Sequence, residues 1–249
     1  MIVLHTDLDN TLIYSYRYDI GSRKINVERY QEKELSFVSI RTQELLRAVH
    51  KKMLIVPTTT RTVEQYHRID LGIGSIKYAL VCNGGVLLKD GIRDEEWYRE
   101  SLSDTALSVP ELKKAEALLA QEKRRKFELR FIEELFLFTK CSEPEAVVSD
   151  LKFTLDQGLV DVFYIGEKVY VIPVNLNKGR AVERFRKLVC PELVIAAGDS
   201  EFDISMLKAA DKGLAPFGFR QQYPVDFAVE EATERELFSE WFLKACSAC

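Results

Sequence analysis

The sequence predicts an α/β fold, a doubly wound parallel sheet interrupted by an inserted α+β module. Two observations predict the sheet. Short apolar runs read as buried strands, and they alternate with helical patterns near both ends of the chain. A third observation predicts the insertion, because from about residue 85 to residue 173 the pattern changes to hairpins and amphipathic helices. The 249 residues are enough for one large domain or two smaller ones.

The first half of the sheet is predicted from three apolar runs, at residues 1–6, 53–57 and 78–82. Apolar residues at helical spacing predict a helix from Thr42 to the basic pair at 51–52, and residues 63–70 also read as a helix. Asn83, Gly84 and Gly85 close the third strand with a strong turn signal.

The inserted module is predicted from a different order of elements. It begins with a hairpin over residues 86–98, and the other elements are a helix at 110–126, a strand at 135–140, a helix at 144–156 and strands at 160–165 and 168–174. The parallel pattern then resumes with a helix at 178–189, a strand at 193–197, a helix at 204–210, strands at 212–215 and 226–229 and a closing helix at 234–245. We therefore predict a core of residues 1–84 and 174–249 and an inserted domain of residues 85–173.

Net charge, cysteine count and the length of the apolar runs restrict the partners and the compartment that we expect for this chain. The net charge of −4 gives no indication of nucleic-acid binding. Five cysteines, an odd number, indicate reduced thiols and a cytoplasmic protein. No apolar run approaches the ~20 residues that a membrane helix needs. We expect no nucleic-acid or membrane partner, and a monomer or a homodimer.

Polar clusters follow the predicted strands of the α/β portion. In open parallel sheets, sites form beyond the carboxyl ends of the strands. Asp7 and Asp9 come directly after the first strand, and Asp199 follows a later one. Because residues one apart in a regular strand face opposite ways, the chain must leave strand geometry at Leu8 for both acids to reach one substrate. The strand therefore ends on acids because its end is the predicted active site.

These clusters carry a resemblance to a known family. The stretch DLDNT at residues 7–11, Thr59, the lysine of NKGRA at Lys178 and the stretch GDSEFD at residues 198–203 resemble, in order and spacing, motifs one to four of the haloacid dehalogenase-like superfamily. The inserted module resembles the type IIB (C2B) cap of phosphatases of the Cof and sucrose-phosphate phosphatase kind. The resemblance implies a Rossmann-like core and a Mg²⁺-dependent phosphatase that works through an aspartyl-phosphate. The expected substrate is a small phosphorylated metabolite, with a sugar phosphate favoured.

The same resemblance implies a role for each matching residue. Asp7 would be the nucleophile, Asp9 the general acid and then base, and Lys178 the cation that pairs with nucleophile and phosphate. Mg²⁺ would be held by the side chain of Asp7, the backbone carbonyl of Asp9 and the carboxylate of Asp199, with Asp203 bound either directly or through water. The expected phosphate- and substrate-binding residues are Thr59, Thr60, Arg61, Asn83 and Gly84, although a hinge turn explains Asn83 and Gly84 equally well.

Alternative functions stay open at this point. The same aspartyl-phosphate chemistry would serve a phosphomutase, and a non-catalytic binding or regulatory protein could keep the fold. Each motif alone also has a structural explanation, since Asp9 could cap a turn, and Asp199 and Asp203 could favour a helix start. Residues 13–37 form a longer segment than we expect in such relatives, and its alternating aromatics favour a flap hairpin beside the site over a base-stacking surface.

Overall fold

The computed structural model describes residues 1–233 and 236–247 of the chain. The chain divides into two compact units, a core unit of residues 1–94 and 177–249 and an inserted unit of residues 95–176. The first two residues of the predicted closing helix, 234 and 235, lie outside the described residues.

The structure has the predicted alternation of strands and helices at both ends of the chain, together with elements that the sequence did not predict, such as a helix at Glu95–Asp104 and a strand at Arg130–Ile132. Residues 1–94 form β1 (Ile2–Thr6), β2 (Tyr14–Ser15), β3 (Lys24–Tyr30), β4 (Lys33–Ser39), α1 (Ile40–His50), β5 (Leu54–Pro57), α2 (Val63–Tyr66), β6 (Tyr78–Val81), β7 (Val86–Lys89) and β8 (Ile92–Arg93). The inserted unit contains α3 (Glu95–Asp104), α4 (Val109–Gln121), β9 (Arg130–Ile132), β10 (Phe136–Lys140), α5 (Pro144–Thr154), β11 (Val160–Ile165) and β12 (Lys168–Pro173). The described remainder of the core unit contains α6 (Lys178–Val189), β13 (Leu193–Ala197), α7 (Ile204–Ala209), β14 (Lys212–Ala215), α8 (Phe219–Gln222), β15 (Glu230–Glu231) and α9 (Phe238–Ser247).

The main sheet of the core unit has five parallel strands in the order β15-β14-β13-β1-β5. β1 lies between β5, which follows it along the chain, and β13, which the chain reaches only after the inserted unit. The carboxyl end of β1 is therefore the point where the strand order reverses, and ligands bind at such points in open α/β sheets. The predicted fold class is confirmed.

Alternating side chains of the sheet pack against helices on both faces. Leu4 and Ile195 are fully buried in a cluster with residues of α1 and α9, while Val194 and Ala196 are fully buried with residues of α6 and α7. Neighbouring residues of β13 thus face opposite helical layers, as the pleat of a strand requires. This two-sided burial explains why the strands are almost wholly apolar until they end.

A small antiparallel sheet, the flap, follows the first strand. It consists of β2, β4 and β3 in the order β2-β4-β3, with β3 and β4 joined at the tight turn Gln31-Glu32. The register between β3 and β4 shifts around Glu28, which marks a β-bulge. The flap hairpin predicted from the alternating aromatics at residues 14–18 corresponds to this three-stranded sheet, although those residues supply only β2 and the hairpin itself is formed by β3 and β4.

The inserted unit has its own sheet and its own core. Its four antiparallel strands have the order β11-β12-β10-β9. Leu112 of α4 and Val147 of α5 are buried against Leu137 of β10 and Val171 of β12. The helices α4 and α5 thus cover one face of this sheet with apolar side chains, which is the usual way for a small α+β module to form a core.

Five predicted boundaries differ from the structure by more than two residues. The closing helix, predicted to begin at residue 234, begins at Phe238. The helix predicted at 63–70 is the single turn α2, and the helix predicted at 110–126 ends at Gln121. The strand predicted to run to Tyr98 ends at Arg93, and α3 starts at Glu95, where acidic residues in the first turn favour a helix. The strand predicted at 226–229 is absent from that stretch, and β14 pairs instead with residues 230–231.

The boundary between the units also lies later than the predicted domain boundary. Residues 86–93 form an antiparallel sheet with β6 in the order β6-β7-β8, with Val81 opposite Val86. That pairing keeps them in the core unit, whereas the sequence pattern assigned them to the insertion. No helix in the described part of the chain has the length and hydropathy needed to cross a bilayer.

Candidate active site

The first acidic cluster begins where β1 ends. Asp7 continues the sheet by one backbone hydrogen bond, its N–H donating to the carbonyl of Ala197 at 2.9 Å. The N–H groups of Leu12 and Ile13 then both donate to the carbonyl of Leu8, at 2.9 and 2.8 Å, which closes a single turn. The chain therefore leaves strand geometry at Leu8, as the spacing of the two acids requires.

Lys178 links two of the predicted acids. It is the first residue of α6 and only 1% exposed, and its Nζ donates to Oδ1 of Asp7 at 2.5 Å and to Oδ1 of Asp203 at 2.6 Å. Asn177 caps the helix with its side chain, which fixes the first turn of α6 beside the sheet. Residues 171 positions apart in sequence thus meet in one buried ion pair.

Asp203 also organises the loop after β13. Its Oδ2 accepts hydrogen bonds from the backbone N–H groups of Asp199 and Ser200, at 3.1 and 2.9 Å, and from the Ser200 hydroxyl at 2.8 Å. A Cβ at Gly198 would lie 2.3 Å from the Cβ of Asp203, so only glycine allows this close return of the chain. Both oxygens of Asp203 therefore already accept hydrogen bonds from the protein.

Asp199 is held from the opposite side. The hydroxyl of Thr11, in the first motif, donates to its Oδ1 at 2.8 Å. Burial, followed by the charge of Asp203, raises the pKa of Asp199 to about 7, despite the opposing effects of Thr11 and Lys178. A carboxylate whose pKa is this high lies in an environment that has too little positive charge.

The electrostatics of Asp7 indicate the same deficit. Burial raises the pKa of Asp7 well above its ordinary value, Lys178 opposes the rise, and the carboxylates of Asp203 and Asp199 add to it. Burial alone would lower the pKa of Lys178, but the charges and hydrogen bonds of Asp203 and Asp7 outweigh it, and the pKa is raised. The lysine therefore stays protonated but cannot neutralise three acids.

The residues present fit a hard divalent cation. One carboxylate oxygen from each of Asp7, Asp199 and Asp203 lies within 4.8 Å of the others. Oxygen ligands from carboxylates are those that Mg²⁺ takes in proteins. Asp7 and Asp199 each use one oxygen in the hydrogen bonds described above, whereas Asp203 uses both. The excess of buried negative charge and the donor set both favour a cation here.

Asp9 lies in a second network, centred on Arg61. The guanidinium Nε donates to Oδ2 of Asp9 at 2.8 Å and Nη2 donates to Oδ1 at 2.7 Å, a bidentate pair. The other edge of Arg61 binds Glu28 of the flap through Nη1 and Nη2, at 2.8 and 3.0 Å. Burial lowers the pKa of Arg61, but both carboxylates outweigh burial and raise it.

The loop after β5 carries the remaining predicted phosphate-binding residues. Thr59 is fully buried, and its hydroxyl accepts from the N–H of Arg61 at 3.1 Å. The N–H of Asn83 donates to the carbonyl of Thr59 at 3.0 Å, which ties this loop to the turn after β6. Thr60 is half-buried beside it. The described hydrogen bonds of the Arg61 guanidinium thus go to the carboxylates of Asp9 and Glu28.

The turn after β6 has a structural reason for its residues. Asn83 has φ of 59° and Gly84 has φ of 88°, a conformation that glycine and asparagine tolerate best. A Cβ at Gly84 would lie 2.3 Å from the Cβ of Ala181 in α6. Asn83 and Gly84 therefore position the Thr59 loop against α6, and their contact with substrate stays a prediction.

Sequence reasoning missed Glu28 and Ser36 of the flap. Glu28 is 4% exposed and binds Arg61, and the Ser36 hydroxyl donates to its Oε2 at 2.5 Å. An acid in the strand-like stretch KINVERY reads as a solvent-facing residue, and the bulge that turns it inward has no signal in this sequence. The link between Thr11 and Asp199 was missed for a similar reason, because it joins residues 188 positions apart.

The chain is similar to known sugar-phosphate phosphatases, in sequence to a family model and in fold to solved structures. The family model described as sucrose-6F-phosphate phosphohydrolase matches residues 1–238. A sucrose-phosphatase from Synechocystis sp., solved with sucrose and phosphate, is 16% identical with a TM-score of 0.65 and covers 99% of this chain and 98% of its own. The C-terminal domain of a C. albicans trehalose-6-phosphate phosphatase is 14% identical with a TM-score of 0.61, covering 99% of this chain and 92% of its own.

A more general relative shares the fold as well. A phosphatase of the haloalkanoate superfamily from Bacteroides thetaiotaomicron is 18% identical with a TM-score of 0.55, covering 100% of this chain and 94% of its own. No curated protein sequence matches the chain. At these identities the solved structures establish the fold, and the family model, which spans nearly the whole chain, establishes the family. The chain belongs to the sucrose-6F-phosphate phosphohydrolase family, within the haloacid dehalogenase-like phosphatases, and is a phosphoric monoester hydrolase.

Proposed function

We propose that the chain is a Mg²⁺-dependent phosphatase that hydrolyses a small sugar phosphate through an aspartyl-phosphate intermediate. The observation that carries the proposal is the buried cluster in which Lys178 joins Asp7 to Asp203 beside Asp199. The substrate after which the matching family is described, together with sucrose and phosphate in the Synechocystis structure, supports a sugar phosphate as substrate.

The metal would be held by the carboxylates of Asp7 and Asp199 and the backbone carbonyl of Asp9. Asp203 was predicted as a further ligand, and we assign it mainly to orienting Lys178 and the loop of Asp199, because both its oxygens accept hydrogen bonds from the protein. When bound, Mg²⁺ supplies positive charge that reduces the repulsion between an anionic nucleophile and an anionic phosphate.

Asp7 is the proposed nucleophile. One of its carboxylate oxygens attacks phosphorus, the bond from phosphorus to the sugar oxygen breaks, and an aspartyl-phosphate forms. Lys178 orients the carboxylate through the hydrogen bond to Oδ1 and compensates part of the charge that develops on the transferred group. The burial of both side chains strengthens this interaction relative to water.

Asp9 is the proposed general acid and base. It donates a proton to the departing sugar oxygen, then accepts a proton from the water that attacks the aspartyl-phosphate, so that phosphate leaves and Asp7 is regenerated. Both oxygens of Asp9 are bound by Arg61 in the described arrangement. Either step therefore requires Arg61 to release one oxygen, and a phosphate oxygen is a suitable new acceptor for its N–H group.

The proposal is tested by measuring phosphate release from a panel of sugar phosphates, with Mg²⁺ and with a chelator. We expect Mg²⁺-dependent release by the wild-type protein and its loss in Asp7→Asn. An exposed acid on α6, Glu183, provides a matched control, and Glu183→Gln should keep full activity.

The products decide among the alternatives. Free phosphate supports a phosphatase, whereas an isomeric sugar phosphate without free phosphate would indicate a phosphomutase and overturn the proposal. The absence of turnover on the whole panel, with Mg²⁺ present, would indicate a binding or regulatory protein. Activity that persists in Asp7→Asn would remove Asp7 from the role of nucleophile.

A further inference from the structure

The flap places a buried acid next to the proposed site. Glu28 and its neighbour Val27 are both buried, at 4% and 3% exposure, although successive residues of a regular strand face opposite ways. The bulge in β3 explains this pattern, because an extra residue lets the strand turn two neighbouring side chains inward. The side-chain amide of Asn26 donates to the carbonyls of Glu28 and Ser36, at 3.0 Å each, and holds the bulge in place.

Glu28 is bound so that its carboxylate has one orientation. Its oxygens accept from Nη1 and Nη2 of Arg61, and the hydroxyl of Ser36, which is 3% exposed, also donates to Oε2. The planar guanidinium is therefore held at one edge by the flap and presents its other edge to Asp9. Asp9 is the most exposed of the three charged groups, with half of its side-chain surface accessible.

Stability alone is a poor explanation for this arrangement. Burying an ion pair is often no better for stability than apolar packing of the same volume, because both charges lose their hydration. Beside Glu28 and Ser36, the flap buries the apolar side chains of Val27 and Val38 in the core cluster. A carboxylate at position 28 is instead suited to fixing a cation, and the group that this cation holds is the proposed acid and base.

We propose that Glu28, assisted by Ser36, is a positioning residue for Asp9, which it orients by holding Arg61. This inference rests on the proposed function, because it gives Asp9 the role of general acid. The flap thereby has a task in the reaction that does not require it to touch substrate. When one N–H group of Arg61 exchanges its hydrogen bond to Asp9 for a hydrogen bond to a phosphate oxygen, Glu28 keeps the guanidinium in place. Asp9 is then released toward the leaving oxygen in a defined position.

The test compares substrates whose leaving groups need a proton to different degrees. In Glu28→Gln, an amide nitrogen replaces one acceptor oxygen, so at least one hydrogen bond from Arg61 is lost. We expect kcat for a sugar phosphate, a poor leaving group, to fall about 10- to 100-fold, since a misplaced catalytic group has effects of this size. For p-nitrophenyl phosphate, whose leaving group departs without a proton, we expect a loss below about threefold.

A second flap variant and a matched control accompany this measurement. Ser36→Ala removes one hydrogen bond to Glu28 and leaves all charges, so it should show the same selective loss to a smaller degree, even if Glu28→Gln fails to fold. Glu34 lies on the same flap, is exposed and pairs with Arg29 at 2.8 Å. Glu34→Gln should leave both substrates unaffected.

Four results would overturn the inference while leaving the phosphatase intact. The first is an equal loss on both substrates in Glu28→Gln and Ser36→Ala, which is what a merely structural role produces. The second is wild-type turnover in both. The third is a double variant, Glu28→Gln with Asp9→Asn, whose turnover is lower than that of Asp9→Asn by more than about twofold. A positioning residue that acts through Asp9 should add less than that to the loss already caused by Asp9→Asn. A crystal structure of Glu28→Gln with Arg61 still bidentate to Asp9 would also contradict it, whereas failure of the proposed function itself would appear as an inactive wild-type protein.

Discussion

Replacing Lys178 with methionine tests the charge compensation on which the site depends. Methionine keeps most of the length of lysine and is unbranched, so the change removes the ammonium group and little packing. Asp7 and Asp203 then lose a shared hydrogen-bond donor at 2.5 and 2.6 Å, and the neighbouring carboxylates of Asp7, Asp199 and Asp203 are left without a cation from the protein among the contacts described.

The size of the effect follows from these distances. At 2.5 Å, and with an effective dielectric constant of about 20, one such contact has a gross attraction of roughly 6–7 kcal/mol. Desolvation offsets much of it, and breaking a buried pair typically destabilises a protein by about 3–5 kcal/mol. For catalysis we expect a loss of roughly a hundred- to a thousandfold in kcat, as for other preorganised charge-stabilising groups.

The pH dependence of stability gives the sharper test. Lys178 lowers the pKa values of Asp7 and Asp199, so its removal raises them further above their unfolded values. A carboxyl group whose folded pKa is raised contributes stability at low pH that is lost as pH rises through the folded pKa. Since the pKa of Asp199 is already about 7, the variant should be destabilised far more at about pH 8 than at about pH 5.5.

The assay is urea unfolding in a chelator at both pH values, together with phosphate release at saturating Mg²⁺. Lys187, exposed on the same helix, provides the control, and Lys187→Met should match the wild type in every measurement. A Lys178→Met protein that lost the same free energy of unfolding at both pH values would show that the carboxylates do not depend on this cation. Near-wild-type turnover would remove Lys178 from the proposed mechanism.

Three further predictions address the other groups of the site and its surroundings. Asp9→Asn should lower turnover of a sugar phosphate by about 10²- to 10⁴-fold and turnover of p-nitrophenyl phosphate much less, and equal losses would argue against a general acid. Mg²⁺ at about 100 times its Kd should raise the free energy of unfolding by about 2.7 kcal/mol, as measured by urea unfolding with and without the ion. Asp199→Asn should remove most of that gain and the exposed Asp226→Asn should keep it, so an equal gain in both would place the ion elsewhere. Burial, with a smaller contribution from Arg186, lowers the pKa of His5 from 6.5 to about 3, so the unfolded chain binds more protons and stability falls as pH drops below 6.5. Between about pH 7 and 5, the free energy of unfolding of His5→Gln should fall by about 2 kcal/mol less than that of the wild type. If the two proteins lost the same free energy of unfolding over this range, the assignment of the effect to His5 would be wrong.

The fold was predictable because its signals are local. Buried parallel strands are continuous apolar runs, and their ends are marked where polar residues begin. Lys178–Val189 and Leu193–Ala197 therefore have the predicted bounds. The predicted strand at 226–229 failed because a two-residue edge strand has almost no apolar pattern, and its position is set by pairing with β14.

The candidate site was predictable in part for the same reason. Asp7, Lys178 and Asp199 each lie at the end of a strand or the start of a helix, and the topology of a parallel sheet brings such ends together. The structure does bring them together, while their chemical roles stay predictions. Arg61 lay among the predicted residues, but its actual partners, Asp9 and Glu28, depend on a bulge and on contacts across 52 and 33 positions of sequence.

Charge explains why the site is built from two networks. The inner network has three carboxylates, of Asp7, Asp199 and Asp203, and one ammonium group, so it retains two negative charges that a divalent cation can neutralise. The outer network has two carboxylates around one guanidinium and retains a single negative charge near solvent. Arg61 thus satisfies Asp9 locally, so Asp9 does not depend on Lys178 for a partner. Because each acid has its own cation, the proposed nucleophile and the proposed general acid lie in different electrostatic environments although they are two residues apart, and Asp9 can take part in proton transfer only when Arg61 gives up one of its two hydrogen bonds.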